Sequence, residues 1–218
     1  FNINSGITVT IRDLTIINAF INGKGGAISN SGALSIINCT FSDNAATDNG
    51  GAISNSGALS ITNCTFTGNV ATIATGDTYG GAIYNSGTCT ITGSTFTGNT
   101  AISQSGNTYG GAFYNNAGTL DINFCRIFGN TANQGNAIYC AGGTVTAENN
   151  WWGSNSPDFA SIIHGTVDAN PWLILRITAT PTNIPPNGIS TVTADLTHNS
   201  DGQSTWAMYG KCIPDGTP

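Results

Sequence analysis

Apolar residues fall at alternate positions along this chain, in short bursts. Ser35 separates Leu34 from Ile36, Ser60 separates Leu59 from Ile61, and Cys39-Thr-Phe41 and Cys64-Thr-Phe66 resume the alternation after a short break. A period of two places successive side chains on opposite faces of a strand. No window carries an i, i+3, i+4 stripe of useful length, so the pattern predicts strands throughout, with Gly and Asn marking the bends between them.

The bursts recur as a unit. Gly25-Gly-Ala-Ile-Ser-Asn30 returns as Gly50-Gly-Ala-Ile-Ser-Asn55, Gly80-Gly-Ala-Ile-Tyr-Asn85 and Gly110-Gly-Ala-Phe-Tyr-Asn115, with a worn copy at Gly135-Asn-Ala-Ile-Tyr-Cys140. The starts are 25, 30, 30 and 25 residues apart. A second phrase follows each, Ser31-Gly-Ala-Leu-Ser-Ile-Ile-Asn-Cys-Thr-Phe41 and its copy at 56–66 being nearly identical. A repeat of this length that cannot bury its own core predicts a stack. The fold class expected is all-β, a right-handed parallel β-helix (solenoid) with three short strands per coil. About six coils spaced at about 4.8 Å would make a rod of roughly 29 Å. Stacking predicts ladders of like residues: Ile28, Ile53, Ile83, Phe113 and Ile138; Phe41, Phe66, Phe96, Ile127 and Trp152; Asn30, Asn55, Asn85 and Asn115; Asn44, Asn69, Asn99, Asn130 and Asn155. Asn suits bends because it tolerates the left-handed conformation and its amide can bond from coil to coil.

Two periods carry five extra residues, within Ala74-Thr-Gly-Asp-Thr-Tyr79 and Gln104-Ser-Gly-Asn-Thr-Tyr109. They fall at one corner of successive coils and predict a protruding ridge. Asp77, Tyr79, Asn107 and Tyr109 on it form either a partner-binding strip or two tolerated loops whose tyrosines pack together. The period ends at Asn149-Asn-Trp-Trp-Gly-Ser-Asn-Ser-Pro157, where Trp151 and Trp152 are placed to cap the open core, with Phe159, Ile162 and Ile163 beside them and His164 as a polar residue of the cap. Residues 1–172 are therefore read as the solenoid with its cap. Residues 173–218 are read as an incomplete Ig-like β-sandwich, since Leu173-Ile-Leu-Arg-Ile-Thr-Ala179 and Ser190-Thr-Val-Thr-Ala-Asp-Leu196 alternate like antiparallel strands but too few follow for a full domain.

Composition narrows the function. Charged residues make up 7% of the chain, where about 25% is usual, yet 39% is hydrophobic and in register, which argues against disorder. The net charge of −6 leaves no basic patch for nucleic acid. No stretch approaches the ~20 apolar residues that cross a bilayer. The chain opens inside a repeat, without Met or a signal peptide, and reads as an internal fragment of a longer processed protein.

Little in the sequence suggests chemistry. Cys39 and Cys64 share a repeat position, with Cys125 also there, so adjacent coils bring Cys39 and Cys64 within reach of a disulfide. Buried Cys as a small hydrophobe is the other reading. No metal-type Cys spacing occurs, and no cofactor is expected. Glycan cleavage would need two facing carboxylates or a carboxylate cluster with a base. Asp13, Asp43, Asp48, Asp77, Asp121 and Glu148 instead fall at different corners, and Arg12, Lys24 and Arg126 do not align. No catalytic residue is assigned. Two sequons, Asn38-Cys-Thr40 and Asn63-Cys-Thr65, sit beside core positions and read as chance overlaps of the repeat.

The repeated Gly-Gly-Ala-Ile-x-Asn and Cys-Thr-Phe-x-x-Asn phrases resemble the polymorphic outer-membrane-protein repeat of bacterial surface proteins. With Asn149-Asn-Trp-Trp-Gly-Ser-Asn-Ser-Pro157, Asn170-Pro-Trp-Leu173, Ser190-Thr-Val-Thr-Ala-Asp-Leu196, Asn199-Ser-Asp-Gly202 and Ile213-Pro-Asp-Gly216, the order resembles adhesin-like proteins of methanogenic archaea, in which β-helix repeats precede bacterial-Ig-like modules. The resemblance implies an extracellular, envelope-associated protein without identifying a ligand, and the expected role is an adhesin-like stalk or display scaffold that attaches to glycans or other cell-surface proteins. The alternative is a structural subunit of a sheath, surface layer or filament, joined head to tail through coil edges or by strand addition at the partial sandwich. A polysaccharide-degrading β-helix enzyme is the remote alternative.

Overall fold

The computed structural model describes residues 1–205 and 213. Successive coils wind through four walls rather than the three expected. One coil runs through Ile28–Asn30, Ala33–Ile37, Thr40–Ser42 and Ala45–Ala46 before returning at Ile53–Asn55. The corresponding strands of neighbouring coils pair in parallel, giving sheets of seven, six, five and four strands. In the first two coils the fourth-wall strands Phe20–Ile21 and Ala45–Ala46 are too short to display a period of two, and Val70–Ile73 and Thr100–Ser103 each carry a single fully inward Ala. The seven-stranded wall runs from Asn2–Ile3 to Ile163–His164, so its six spacings of ~4.8 Å span about 29 Å.

The register is the repeat. Ile28 pairs with Ile53, Ile53 with Ile83, Ile83 with Phe113 and Phe113 with Ile138. Phe41, Phe66 and Phe96 stack with ring centroids 4.7 and 4.6 Å apart, and Ile127 continues their column. These side chains are fully buried or nearly so. The second glycine of each Gly-Gly pair is required by close approach: a Cβ on Gly51 would lie 2.2 Å from the Gly81 carbonyl oxygen, and one on Gly81 would lie 2.1 Å from that of Gly111.

Inside the bends, asparagines replace apolar packing with hydrogen-bonded columns. The amide of Asn30 donates to Asn55 at 2.7 Å, Asn55 to Asn85 at 2.8 Å and Asn85 to Asn115 at 2.8 Å. In the second column Asn44, Asn69, Asn99 and Asn130 are linked at 3.0, 2.9 and 2.9 Å. These buried amides are satisfied by their copies and by backbone carbonyls, and Asn115 and Asn130 at the column ends by carbonyls alone, which offsets the desolvation cost of burying them. Asn155 does not extend this column as expected. It is exposed, donates to the Leu175 carbonyl at 2.9 Å and accepts from the Leu175 N–H at 2.6 Å.

The two tryptophans divide the cap between them. Trp152 is 5% exposed in the solenoid core and meets Phe159 edge-on, which in turn meets Trp172. Trp151 instead packs on a second cluster of Leu173, Leu196 and Ile213. Beyond the cap, Leu173–Thr180 and Thr191–Asn199 form a two-stranded antiparallel sheet, consistent with the partial sandwich expected. The break expected after residue 172 is bridged by hydrogen bonds from Leu173 N to Asn150 O, at 2.9 Å, and from Ser200 N to Trp172 O, at 2.7 Å. Cys212 and all of Ile213-Pro-Asp-Gly216 except Ile213 lie outside the described residues.

Candidate functional site

Side chains on a strand alternate, so Ile83 and Asn85 facing inward turn Tyr84 outward. Register carries the same position through Ser29, Ser54, Tyr84, Tyr114, Tyr139 and His164. From Tyr84 onward the column is aromatic. Its rings stack at 5.5, 5.4 and 4.6 Å, with planes within 10° of parallel.

A second column comes from the insertions. Thr78–Tyr79 and Thr108–Tyr109 pair as their own small parallel sheet, as the ridge required, and Tyr79 stacks on Tyr109 at 5.4 Å. Buried Thr78 donates to the Asp48 carbonyl at 2.8 Å, and Asp77 accepts from the Asn107 N–H at 2.8 Å, so the loops are tied to the coils and to each other. The tyrosines themselves do not protrude. They lie half-buried against the first column, with Tyr79 at 4.7 Å from Tyr114 and Tyr109 at 4.8 Å from Tyr139. The expected four-residue ridge is thus one side of a strip of five tyrosines and His164.

The sequence reading missed Tyr84, Tyr114 and Tyr139 and assigned His164 to the cap. The signal was the variable letter of Gly-Gly-Ala-Ile-x-Asn, which changes from Ser to Tyr after the second copy.

Stacking along the rod covers the ring faces, and Tyr114 at the centre is 8% exposed. The Lys24 ammonium lies 5.9 Å from the Tyr84 ring centre and 3.8 Å from Asp48. Burial raises the phenol pKa of Tyr79, Tyr84 and Tyr109, helped by Asp77 beside Tyr79 and Tyr109 and by Asp48 beside Tyr84. Tyr114 is pushed up to about 12, chiefly by burial. These four tyrosines are therefore neutral phenols in a mildly negative setting.

The carboxylates are less scattered than the sequence implied. Thr146 lies between Asp121 and Asp168 in the wall and donates to Asp121 at 2.9 Å. Glu148 is raised by burial and by the charges of Asp168 and then Asp121. The bases stand elsewhere: Arg12 pairs with Asp13, Lys24 with Asp48, and Arg126 lies over Phe128. Among the described residues no group of His, Cys, Asp and Glu is arranged to hold a metal ion.

The disulfide considered between Cys39 and Cys64 is not formed. Both are free buried thiols, and the Cys39 N–H donates to the Cys64 sulfur at 3.3 Å. Ser94, Cys125 and Asn150 continue that role, accepting from Cys64 N, Ser94 N and Cys125 N respectively. The shared repeat position is thus a hydrogen-bond acceptor inside the stack.

A family model described as right-handed beta helix region matches residues 1–162. The chain belongs to that family. The match ends at the last residue of the helix Phe159–Ile162, just before the strand Ile163–His164 that closes the first wall, and the antiparallel hairpin lies beyond both. No curated protein and no solved structure matches this β-helix.

Proposed function

We propose that this β-helix is the rigid body of an extracellular, non-catalytic attachment protein, and that the Tyr–His strip is its contact surface for cell-surface glycans or proteins. The observation that carries the reading is the strip itself. Six stacked rings occupy adjacent positions on the outer side of one wall, in a chain whose polar residues are mostly uncharged. A polar surface with so few charges suits contact with neutral, hydrogen-bonding polymers, and the scarcity of cations disfavours polyanions.

Ser29 and Ser54 occupy the same register, so serine fits there without disturbing the wall. The test is the double variant Tyr84→Ser and Tyr139→Ser, assayed for binding to intact cells and to immobilised surface glycans. A loss of tenfold or more with an unchanged circular dichroism spectrum is expected. Binding at the level of the parent would remove the strip from consideration.

The second reading, a self-assembling structural subunit, draws on the hairpin. Ile177 and Val192 are 69% and 67% exposed on one of its faces. Electron microscopy of the native protein separates the two: regular filaments or tubes would favour assembly, and single rods attachment.

A further inference from the structure

The two sequons occupy a place their sequence context did not suggest. Asn38 and Asn63 are not in strands. Each stands at the bend between the second and third walls, with φ of 53°, and each is exposed. The middle residues, Cys39 and Cys64, are 1% and 2% exposed and turn into the core. Phe41 and Phe66 point inward at 0% exposure, so alternation turns Thr40 and Thr65 outward. Asn and Thr of each sequon therefore sit together on the outside of one corner, over an inward cysteine. These are the only two Asn-x-Ser/Thr sequences in the chain, and they lie on successive coils.

We infer that this corner is an N-glycosylation site, with Asn63 the principal acceptor and Asn38 the lesser one. The inference rests on the extracellular reading above, since the modification belongs to exported chains. In the transfer, the bond from the sugar C1 to the phosphate oxygen of a lipid-phosphate-linked glycan donor breaks. A bond from C1 to the asparagine Nδ2 forms, one amide proton is released, and the lipid phosphate leaves; nothing is oxidised or reduced.

The two asparagines differ in freedom. Asn38 Nδ2 already donates to Asp13 at 3.1 Å, and Asp13 is held beside Arg12. Asn63 Nδ2 has no partner among the described residues, and its Oδ1 lies where a Cβ on Gly93 would meet it at 2.5 Å. The next coil thus presents no side chain above Asn63, which leaves a sugar room to lie over Gly93. The sites are only one coil spacing of ~4.8 Å apart, so a glycan on Asn63 crowds Asn38. This corner is separate from the wall carrying the Tyr–His strip, which a glycan here leaves uncovered.

Glycopeptide mass spectrometry of the protein isolated from the cells that make it tests the inference, with the same cells first labelled by a membrane-impermeant amine reagent. A glycan mass on the Asn63 peptide is expected, at several-fold higher occupancy than on Asn38. Thr65→Ala should remove it and Thr65→Ser restore it, while both leave the bend asparagine and its φ in place. Unmodified Asn63 in externally labelled protein would overturn the glycan assignment and leave the surface reading standing. Unmodified protein that never takes up the label would overturn both.

Discussion

The middle coils and the segment after Asn149 use the same residue types in opposite ways. In the coils an important side chain meets its own copy: Phe66 lies between Phe41 and Phe96, and Asn69 between Asn44 and Asn99. In the hairpin and where it joins the cap each contact is particular. Asn155 grips the backbone of Leu175, Trp151 covers Leu173 and Leu196, and Arg176 meets His198 at 2.7 Å. A residue in a column supports two neighbours, so its loss is felt on both sides, whereas a residue in the hairpin supports one arrangement once. Repetition therefore concentrates stability in the columns and leaves the hairpin with less to lose.

Breaking a column should have the largest effect. Phe66→Ala removes two ring stacks from a fully buried site and should cost about 3–5 kcal/mol in urea unfolding. Asn69→Ala removes the acceptor of the Asn44 backbone N–H and of one of its amide hydrogens, and should cost about 1–3 kcal/mol. Asn155→Ala, exposed and outside any column, should cost about 1 kcal/mol or less by the same measurement. Equal losses for Asn69 and Asn155 would dissolve the distinction between the two regions.

Titration should separate the regions by the sign of its effect. Burial raises the Cys64 thiol from 9.0 to about 11. Its contribution is whole below pH 9 and disappears as pH rises towards 11, because the unfolded chain releases that proton first. In the hairpin, hydrogen bonds from Thr197 hold Asp195 below its ordinary value of 3.8. That contribution is present above pH 3.8 and fades as pH falls below it. Hydrogen exchange followed at both extremes should show the coils loosening in alkali and the hairpin in acid. The smallest effect belongs to Ile177→Ala, 69% exposed, which should change stability by no more than about 0.5 kcal/mol in thermal unfolding.

Much of the coil architecture was legible because register in a stack is a matter of counting. Identical letters 25 or 30 residues apart became neighbours, and the apolar and Asn columns could be read off directly through Asn130. Counting failed where it was carried past the structure that enforces it. Asn155 lies 25 residues after Asn130, but its coil has ended, so it turns to the hairpin. His164 lies 25 after Tyr139 and does continue its column, although no Gly-Gly phrase announces it. Counting also placed Cys39 above Cys64 correctly, yet proximity alone could not say whether sulfur would bond sulfur or accept an N–H. The sequons were hidden for a related reason: a bend one residue from a core cysteine looks, in sequence, like the strand it interrupts.

The strands lie across the rod, so their hydrogen bonds run along it. A pull on the two ends loads those bonds lengthwise, and the weakest interface between coils gives way while the others hold. Each regular coil contains 25 residues within one strand spacing of ~4.8 Å, and unwinding it would release about 80–90 Å of chain. The same body that resists bending would lengthen in steps under tension, coil by coil, dissipating a sudden load along its own length.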